Sequence, residues 1–250
     1  MTTTRHLAIC HVLREDANLR EAIPTADRDK ATDECIAAEA RLPAGRWSRA
    51  EVDPMPDGIG LLVLHGLLIR HVQVGGRFSA ELLGEGDVLR PWQLPKARPS
   101  LRYTSDWRVL EPTRLAVLDG RVARRFAHYP ELTGRLAARA LERSRRLAVN
   151  MAIVQQPRVQ MRVHMLLWHL ADRWGYLRPE GMLLPLHITH DVLADLVAAR
   201  RPTVSSALSR LARDRLVRPG KDGWLLLGGP PEELLGREGL STASGPRFLQ

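Results

Sequence analysis

The chain has 250 residues, of which 44% are hydrophobic and 26% charged, and its formal net charge at pH 7 is +9. This length allows two small domains with a real hydrophobic core. No run reaches the roughly 18 consecutive apolar residues of a membrane span, and Arg14, Glu15 and Asp16 come too early for a secretory signal. We therefore expect a cytoplasmic protein that has no membrane partner.

Cysteine spacing and charge distribution narrow the class further. Cys10 and Cys35 lie in no metal-ligand spacing, so we expect neither a disulfide framework nor an iron–sulfur cluster. Residues 157–228 contain 11 Lys and Arg against 6 Asp and Glu, whereas residues 229–250 contain 2 against 3. Positive charge gathered in the second half of the chain is typical of a nucleic-acid partner.

The first half of the chain predicts a short lead-in followed by β-structure. Residues 1–43, interrupted by Pro24, predict an N-terminal helical lead-in. In residues 44–127, apolar runs such as LLVLH, LLIRHVQV and FSAELL alternate with glycine turns, and Pro112 is expected to break the last run. Short strands at such close spacing predict a small antiparallel barrel or sandwich.

Residues 128–156 predict one long helix that Pro130 opens and Pro157 stops. Two interpretations of its apolar face stay open. In the first, the helix packs on its own domain. In the second, it pairs with a second copy, because about 26 helical residues exceed what a small barrel covers. The candidate dimer stripe is Leu132, Leu136, Ala140, Leu147, Met151 and Val154, widened by Ala137, Leu141, Ala148 and Ala152.

Within residues 157–228, a helix over VQMRVHMLLWHLADRW is predicted first, and residues 189–217 then predict two short helices joined by an abrupt turn. Thr189 is a good N-cap for the first helix, and Pro202 fits the first position of the second, over residues 202–215. Val204, Ala207, Leu208 and Leu211 would be buried, which leaves Thr203, Ser206 and Arg210 on the solvent face. A turn at residues 219–223 then predicts a β-wing, so the order is that of a winged helix-turn-helix. A merely structural helical hairpin is the alternative.

The segment THDVLADLVAARRPTVSSALSRL resembles the DNA-binding domain of the bacterial Crp/Fnr superfamily, the cyclic-AMP-receptor-like transcription regulators. LLVLHGLLIRHVQV and LLGEGDVL resemble strands of that family's β-roll sensor domain. The resemblance implies an α+β fold: a cyclic-nucleotide-binding-like antiparallel β-roll (a double-stranded β-helix) at 44–127, a dimerisation helix at 128–156 and a winged helix-turn-helix at 157–228. Residues 229–250 are expected to form a flexible tail.

The same resemblance assigns roles to residues at the start of the second helix. Arg201 matches the family's arginine that binds O6 and N7 of a guanine. Thr203 and Ser205 match positions where hydroxyl and backbone N–H groups hold a phosphate. Pro202 and Ser206 replace a glutamate and an arginine that read bases, which implies an unfamiliar target site. Further phosphate contacts are expected from Arg200, Arg210, Lys221 and His190.

The sensor half departs from the family's cyclic-nucleotide binders. Pro91 or its neighbours stand where the glutamate that binds the ribose is expected, and Tyr103 follows Arg102 where a hydroxyl residue is usual. Loss of such polar partners weighs heavily on specificity, so cyclic AMP is not expected as the ligand. Another effector could bind a remodelled pocket, or these side chains could be ordinary surface. The candidate residues are Arg90, Trp92, Arg98, Arg102, Tyr103 and Trp107.

Other functional classes find less support. A metal-dependent cupin enzyme would need clustered histidine and carboxylate ligands, but Gly66 indicates a turn or bend between His65 and His71. No phosphate-binding loop or nucleophile elbow occurs. We therefore expect no enzyme, no metal and no resident cofactor.

The sequence favours a dimeric DNA-binding regulator whose partners are double-stranded DNA, a second copy and RNA polymerase. An effector-independent regulator and a haem- or metal-sensing one remain as alternatives.

Overall fold

A computed structural model of the chain describes residues 8–48, 55, 57–92 and 101–231. The chain divides into two compact units, Met1–Val149 and Asn150–Gln250. Within the ranges given above, no helix is both long and apolar enough to cross a membrane.

The first unit contains a seven-stranded antiparallel sheet in the order β1-β2-β7-β4-β5, with β3 paired to β7 and β6 paired to β4. β4 and β7 are 15 residues long and pair along most of their length, so they form the spine of the sheet. The strands are β1 (Ala8–His11), β2 (Ile36–Leu42), β3 (Gly45–Trp47), β4 (Gly60–Val74), β5 (Arg77–Leu83), β6 (Val88–Leu89) and β7 (Thr104–Leu118).

Alternate residues of β4 enter two separate cores, because successive side chains of a strand point to opposite faces. Leu62 and Leu64 join a cluster that also contains Leu13, Phe126 and Leu132 from the helices. Leu61 and Val63 join a second cluster that is built mainly from the strands and includes two tryptophans, Trp47 and Trp107. The helices of this unit are α1 (Val12–Glu15), α2 (Ala17–Ala22), α3 (Arg28–Glu34) and α4 (Gly120–Phe126).

The predicted helical lead-in over residues 1–43 is wrong at both described ends. Residues 8–11 and 36–42 form β1 and β2, which pair with each other, and β2 also pairs with β7. The alanines and charged residues of β2 favour helix locally, but pairing with the central strand β7 overrides that preference. The helices of this region lie between β1 and β2. The helix α4 lies within the predicted sensor segment, residues 44–127, and was not predicted.

Neither Gly66 nor Pro112 ends a strand, contrary to the predicted break at Pro112. The register between β4 and β7 shifts on both sides of Gly66, whose φ is +101°. A Cβ atom at Gly66 would lie 2.6 Å from the carbonyl oxygen of Pro112, so the two residues meet at an irregularity of the ladder. Such a bulge tolerates proline, because the ladder there needs no N–H donor.

The long helix α5 (Pro130–Val154) begins at the predicted residue. Its predicted dimer stripe is partly wrong: Leu132 is fully buried and Leu136 packs against the same cluster, so both belong to the core of their own unit. The reason is that these two residues, near the start of the helix, face the strands and helices of the first unit. Met151 of the same stripe is 68% accessible, and Leu141, one of the residues that widen the stripe, is 65% accessible.

Arginines fix α5 to the rest of its unit. Arg139 donates to both carboxylate oxygens of Asp16 at 2.6 and 2.7 Å, and Arg143 donates to Glu81 at 2.9 Å. Arg146 forms a third ion pair, with the buried carboxylate of Asp87 at 3.4 Å. Spacings of four and three residues place all three arginines on one helix face.

The second unit contains three helices and a four-stranded antiparallel sheet in the order β10-β11-β9-β8. Val204 and Leu211 of its last helix are buried, as predicted. Its elements are α6 (Val159–Trp174), β8 (Tyr176–Arg178), β9 (Gly181–Leu184), α7 (His190–Leu196), α8 (Arg201–Arg213), β10 (Val217–Gly220) and β11 (Gly223–Leu226). Helix, turn, helix and hairpin therefore follow in the predicted order.

Candidate nucleic-acid interface

Helix α7 is capped at both ends, and its C-terminal cap sets the turn to α8. The Thr189 hydroxyl accepts a hydrogen bond from the Val192 N–H at 3.3 Å, which caps the start of α7. At the other end, Ala198 adopts a left-handed φ of +50°, and the Ala199 N–H reaches back to the Ala194 carbonyl at 2.9 Å. This is a Schellman-type ending, which reverses the chain abruptly.

Helix α8 begins one residue earlier than predicted. Arg201 is its first residue and Pro202 its second, whereas the extended conformation expected before proline falls on Arg200. Arg200 makes no side-chain cap, so the first-turn N–H groups of α8 stay open to an anionic ligand. The helix ends at Arg213, two residues before the predicted end.

One face of α8 is buried and the other is polar and exposed. Val204, Ala207, Leu208 and Leu211 pack inward. The predicted contact residues Arg200, Arg201, Pro202, Thr203, Ser206 and Arg210 are all exposed. Basic and hydroxyl side chains on one open helix face have the donors that phosphate oxygens and base edges accept.

His190 and Ser205 are engaged within the domain. The His190 Nδ1 atom lies 2.9 Å from the Ser205 hydroxyl, which joins α7 to α8. The imidazole also packs beside the indole of Trp224 in β11, with ring centroids 6.3 Å apart. These two residues, which were predicted to contact phosphate, therefore connect α7 to α8 and to β11 of the wing.

Lys221 lies in the two-residue turn between β10 and β11, at the tip of the predicted wing. It is exposed there. An exposed lysine on a hairpin tip can contact a phosphate as a point charge without reading sequence.

Two residues of this surface were not predicted. Asp191, the second residue of α7, has its Oδ1 atom 3.5 Å from Nε of Arg201. Arg162 of α6 donates to the Val197 carbonyl of the turn at 3.3 Å. Sequence spacing could not reveal either contact, because each joins residues from different elements.

The predicted effector residues do not form one cluster among those described. Trp92 and Trp107 pack in the strand-lined core of the first unit, whereas Arg90, Arg102 and Tyr103 are exposed. Arg98 lies outside the described residues. The same core holds Trp47, and two buried donors there, Nε1 of Trp47 and Nε1 of Trp92, have no hydrogen-bond partner in the described part of the chain.

Histidines and cysteines of the first unit are dispersed. In the part of the chain that the structure describes, no three His, Cys, Asp or Glu side chains are grouped to hold a metal ion. His65 lies 3.0 Å from Glu85 on the surface, and His71 packs edge-on against Phe78. Burial raises the pKa of the Cys10 and Cys35 thiols to about 11, which makes both poor nucleophiles at neutral pH.

Comparison with known proteins gives a family match for the second unit and a fold match for most of the chain. Residues 161–227 match the Crp-like helix-turn-helix domain. A cyclic nucleotide-binding domain containing protein from Listeria monocytogenes EGD-e is similar in structure, with a TM-score of 0.60 and 15% identity over 84% of this chain and 94% of that one. The sequence matches no curated protein.

Two further structures share the fold. A mutant of CooA from Carboxydothermus hydrogenoformans has a TM-score of 0.56 and 16% identity, covering 91% of this chain and 93% of that one. The c-di-GMP responsive global regulator CLP of Xanthomonas campestris has a TM-score of 0.55 and 17% identity, covering 86% and 100%. The predicted α+β class, an antiparallel β-domain followed by a long helix and a winged helix-turn-helix, is confirmed.

Proposed function

Because the chain carries a Crp-like helix-turn-helix domain on the fold of the Crp/Fnr regulators, we propose that it is a sequence-specific, dimeric DNA-binding transcription regulator. The observation that carries this proposal is the polar face of α8, where exposed arginines and hydroxyls stand opposite a buried apolar face. A helix of this kind fits the major groove of B-DNA.

Within this proposal, Arg201 reads a guanine and the other exposed groups hold the backbone. The side chain of Arg201, the first residue of α8, is 65% exposed, so its guanidinium can reach a base edge. Arg200, Thr203, Ser206, Arg210 and Lys221 would contact phosphates. Neither Pro202 nor Ser206 can supply the carboxylate or guanidinium that relatives use at those positions, so the operator differs from theirs.

Selection of DNA sites from a random pool by the purified protein tests the proposal. We expect a two-fold symmetric site with half-sites about one helical turn apart. Arg201→Ala should cost about 1–3 kcal/mol of specific binding and relax preference at one base pair of each half-site. Lys221→Ala should instead weaken binding to all sequences and flatten its salt dependence. Equal weakening of specific and random DNA by Arg201→Ala would refute base reading.

The strand-lined core of the first unit is the place where we propose that a small effector other than cyclic AMP acts. Support comes from buried donors that have no hydrogen-bond partner among the described residues: the indole N–H groups of Trp47 and Trp92 in this core, and Nε of Arg70 beside the Trp107 ring. Such groups are costly unless an acceptor reaches them. A ligand rich in acceptor atoms would satisfy them, whereas an effector-independent regulator would bind its site equally well without one.

Repeating the site selection with cell extract or candidate nucleotides separates these alternatives. A change in affinity on addition supports an effector, and identical binding in every condition supports the effector-independent regulator. A Soret band or a stoichiometric metal in the purified protein would favour haem or metal sensing instead.

RNA polymerase is the proposed protein partner, because a regulator bound at a promoter acts beside it. For the same reason, the proposed location is the nucleoid of the cytoplasm.

A further inference from the structure

An acidic side chain lies within the surface that is proposed to bind DNA. Asp191, the second residue of α7, has Oδ1 3.5 Å from Nε of Arg201, the first residue of α8. The pair crosses the turn between the two helices. A carboxylate at this position repels phosphates and so weakens the electrostatic part of DNA binding, which requires an explanation.

Stability of the fold does not explain the pair. Asp191 and Arg201 are 62% and 65% exposed, respectively, and ion pairs as exposed as this one contribute little to folding. The position of α8 is fixed instead by its buried face and by the hydrogen bond between His190 and Ser205. The pair is therefore free to serve the function of the Arg201 side chain.

The geometry suits orientation of a base-reading arginine. The closest contact of Asp191 is to Nε, which leaves the two terminal nitrogens of the guanidinium available for O6 and N7 of guanine. An arginine has many rotamers, and ordering it before binding reduces the entropy that is lost when DNA binds. Neighbouring positions give no such support: Pro202 has no polar group, and the first turn of α8 contains no acidic residue.

We propose that Asp191 is a positioning residue that sets the guanine preference of Arg201. The proposal rests on the proposed DNA-binding function. Asp191 holds the guanidinium in the orientation that presents its terminal N–H groups to the base. It thereby raises discrimination between bases while lowering affinity for DNA in general. Specificity is a difference of affinities, so one carboxylate can have both effects.

The substitution Asp191→Asn tests this role with the full-length protein and the site selected by the wild type. We expect preference for guanine at the Arg201 base pair to fall about fivefold, which is within the coupling range of contacting residues. Affinity for random DNA should rise about twofold, because a negative charge is lost near phosphates. Asp172→Asn is the matched control, since Asp172 is an exposed residue of α6 and its change removes the same charge.

Two further variants isolate the pair. In an Arg201→Ala background, Asp191→Asn should cause no additional loss of preference, and Asp191→Glu should retain at least half of the wild-type preference. Thermal unfolding of each variant confirms that α7 is intact. If Asp191→Asn raises affinity for selected and random DNA equally, Asp191 only repels DNA and the proposal is overturned. If the wild type selects no site at all, the proposed function itself fails.

Discussion

A network of ion pairs around the buried carboxylate of Glu39 in β2 joins three elements of the first unit. The side chain of Glu39 is 3% exposed, and it accepts from Arg114 of β7 at 3.0 and 2.8 Å and from Arg41 at 2.7 Å. Arg114 also donates to Glu15 of α1 at 2.9 Å. These hydrogen bonds, most of all those from Arg114, lower the pKa of Glu39 to about 2.

The lowered pKa predicts a specific acid sensitivity. A depressed carboxylate stabilises the fold fully above its usual pKa near 4.5, and this contribution is lost as pH falls through about 2. Glu39→Gln should therefore lower the free energy of unfolding by about 2–3 kcal/mol at pH 7, and the deficit should shrink at pH 3, as urea unfolding would show. Glu142→Gln is the control, because Glu142 forms an exposed ion pair with Arg145, and it should lower the free energy of unfolding by less than about 1 kcal/mol. A deficit of the Glu39→Gln variant that does not change with pH would contradict the ion-pair account.

At the scale of elements, the turn between α7 and α8 stores strain at Ala198. A residue with a Cβ atom costs about 1–2 kcal/mol in the left-handed region. Glycine avoids this cost, but part of the gain is offset because glycine has more conformational freedom in the unfolded chain. Ala198→Gly should therefore stabilise the protein by about 0.5–1 kcal/mol in thermal or chemical unfolding. Ala212→Gly, at an exposed site inside α8, should instead destabilise it by about 1 kcal/mol. Destabilisation by both glycines would show that Ala198 is not strained.

Elements with a strong local signal could be predicted from the sequence. The apolar spacing of α8, the N-cap at Thr189 and the prolines at both ends of α5 define those helices without knowledge of their neighbours. β1 and β2 could not be predicted, because the residues of β2 favour helix, and only the pairing of β2 with β7 and of β1 with β2 makes them strands. The same holds for the site: Arg201 is recognisable from its motif, whereas its contact with Asp191 depends on the turn that brings α7 and α8 together.

At the scale of the whole molecule, α5 has an exposed face that fits the proposed dimer. A helix of 25 residues extends about 37 Å. One face is occupied by Leu132, Leu136 and the three paired arginines. The opposite face carries Leu141 between small residues, which let two helices approach closely. The exposed small residues of this face are Gly134, Ala137, Ala138, Ala148 and Ala152.

Leu141→Asp should therefore convert a dimer into a monomer while leaving the fold intact, because Leu141 is 65% exposed in the single chain. Light scattering of the purified protein would measure the change in mass. Affinity for a two-half-site operator should fall at least about 100-fold, since each half-site would then be bound independently, whereas affinity for a single half-site should be unchanged. Leu177→Asp provides the control, because Leu177 is 80% exposed on β8, outside the helix. A Leu141→Asp protein that remains dimeric would place the dimer contact on another surface.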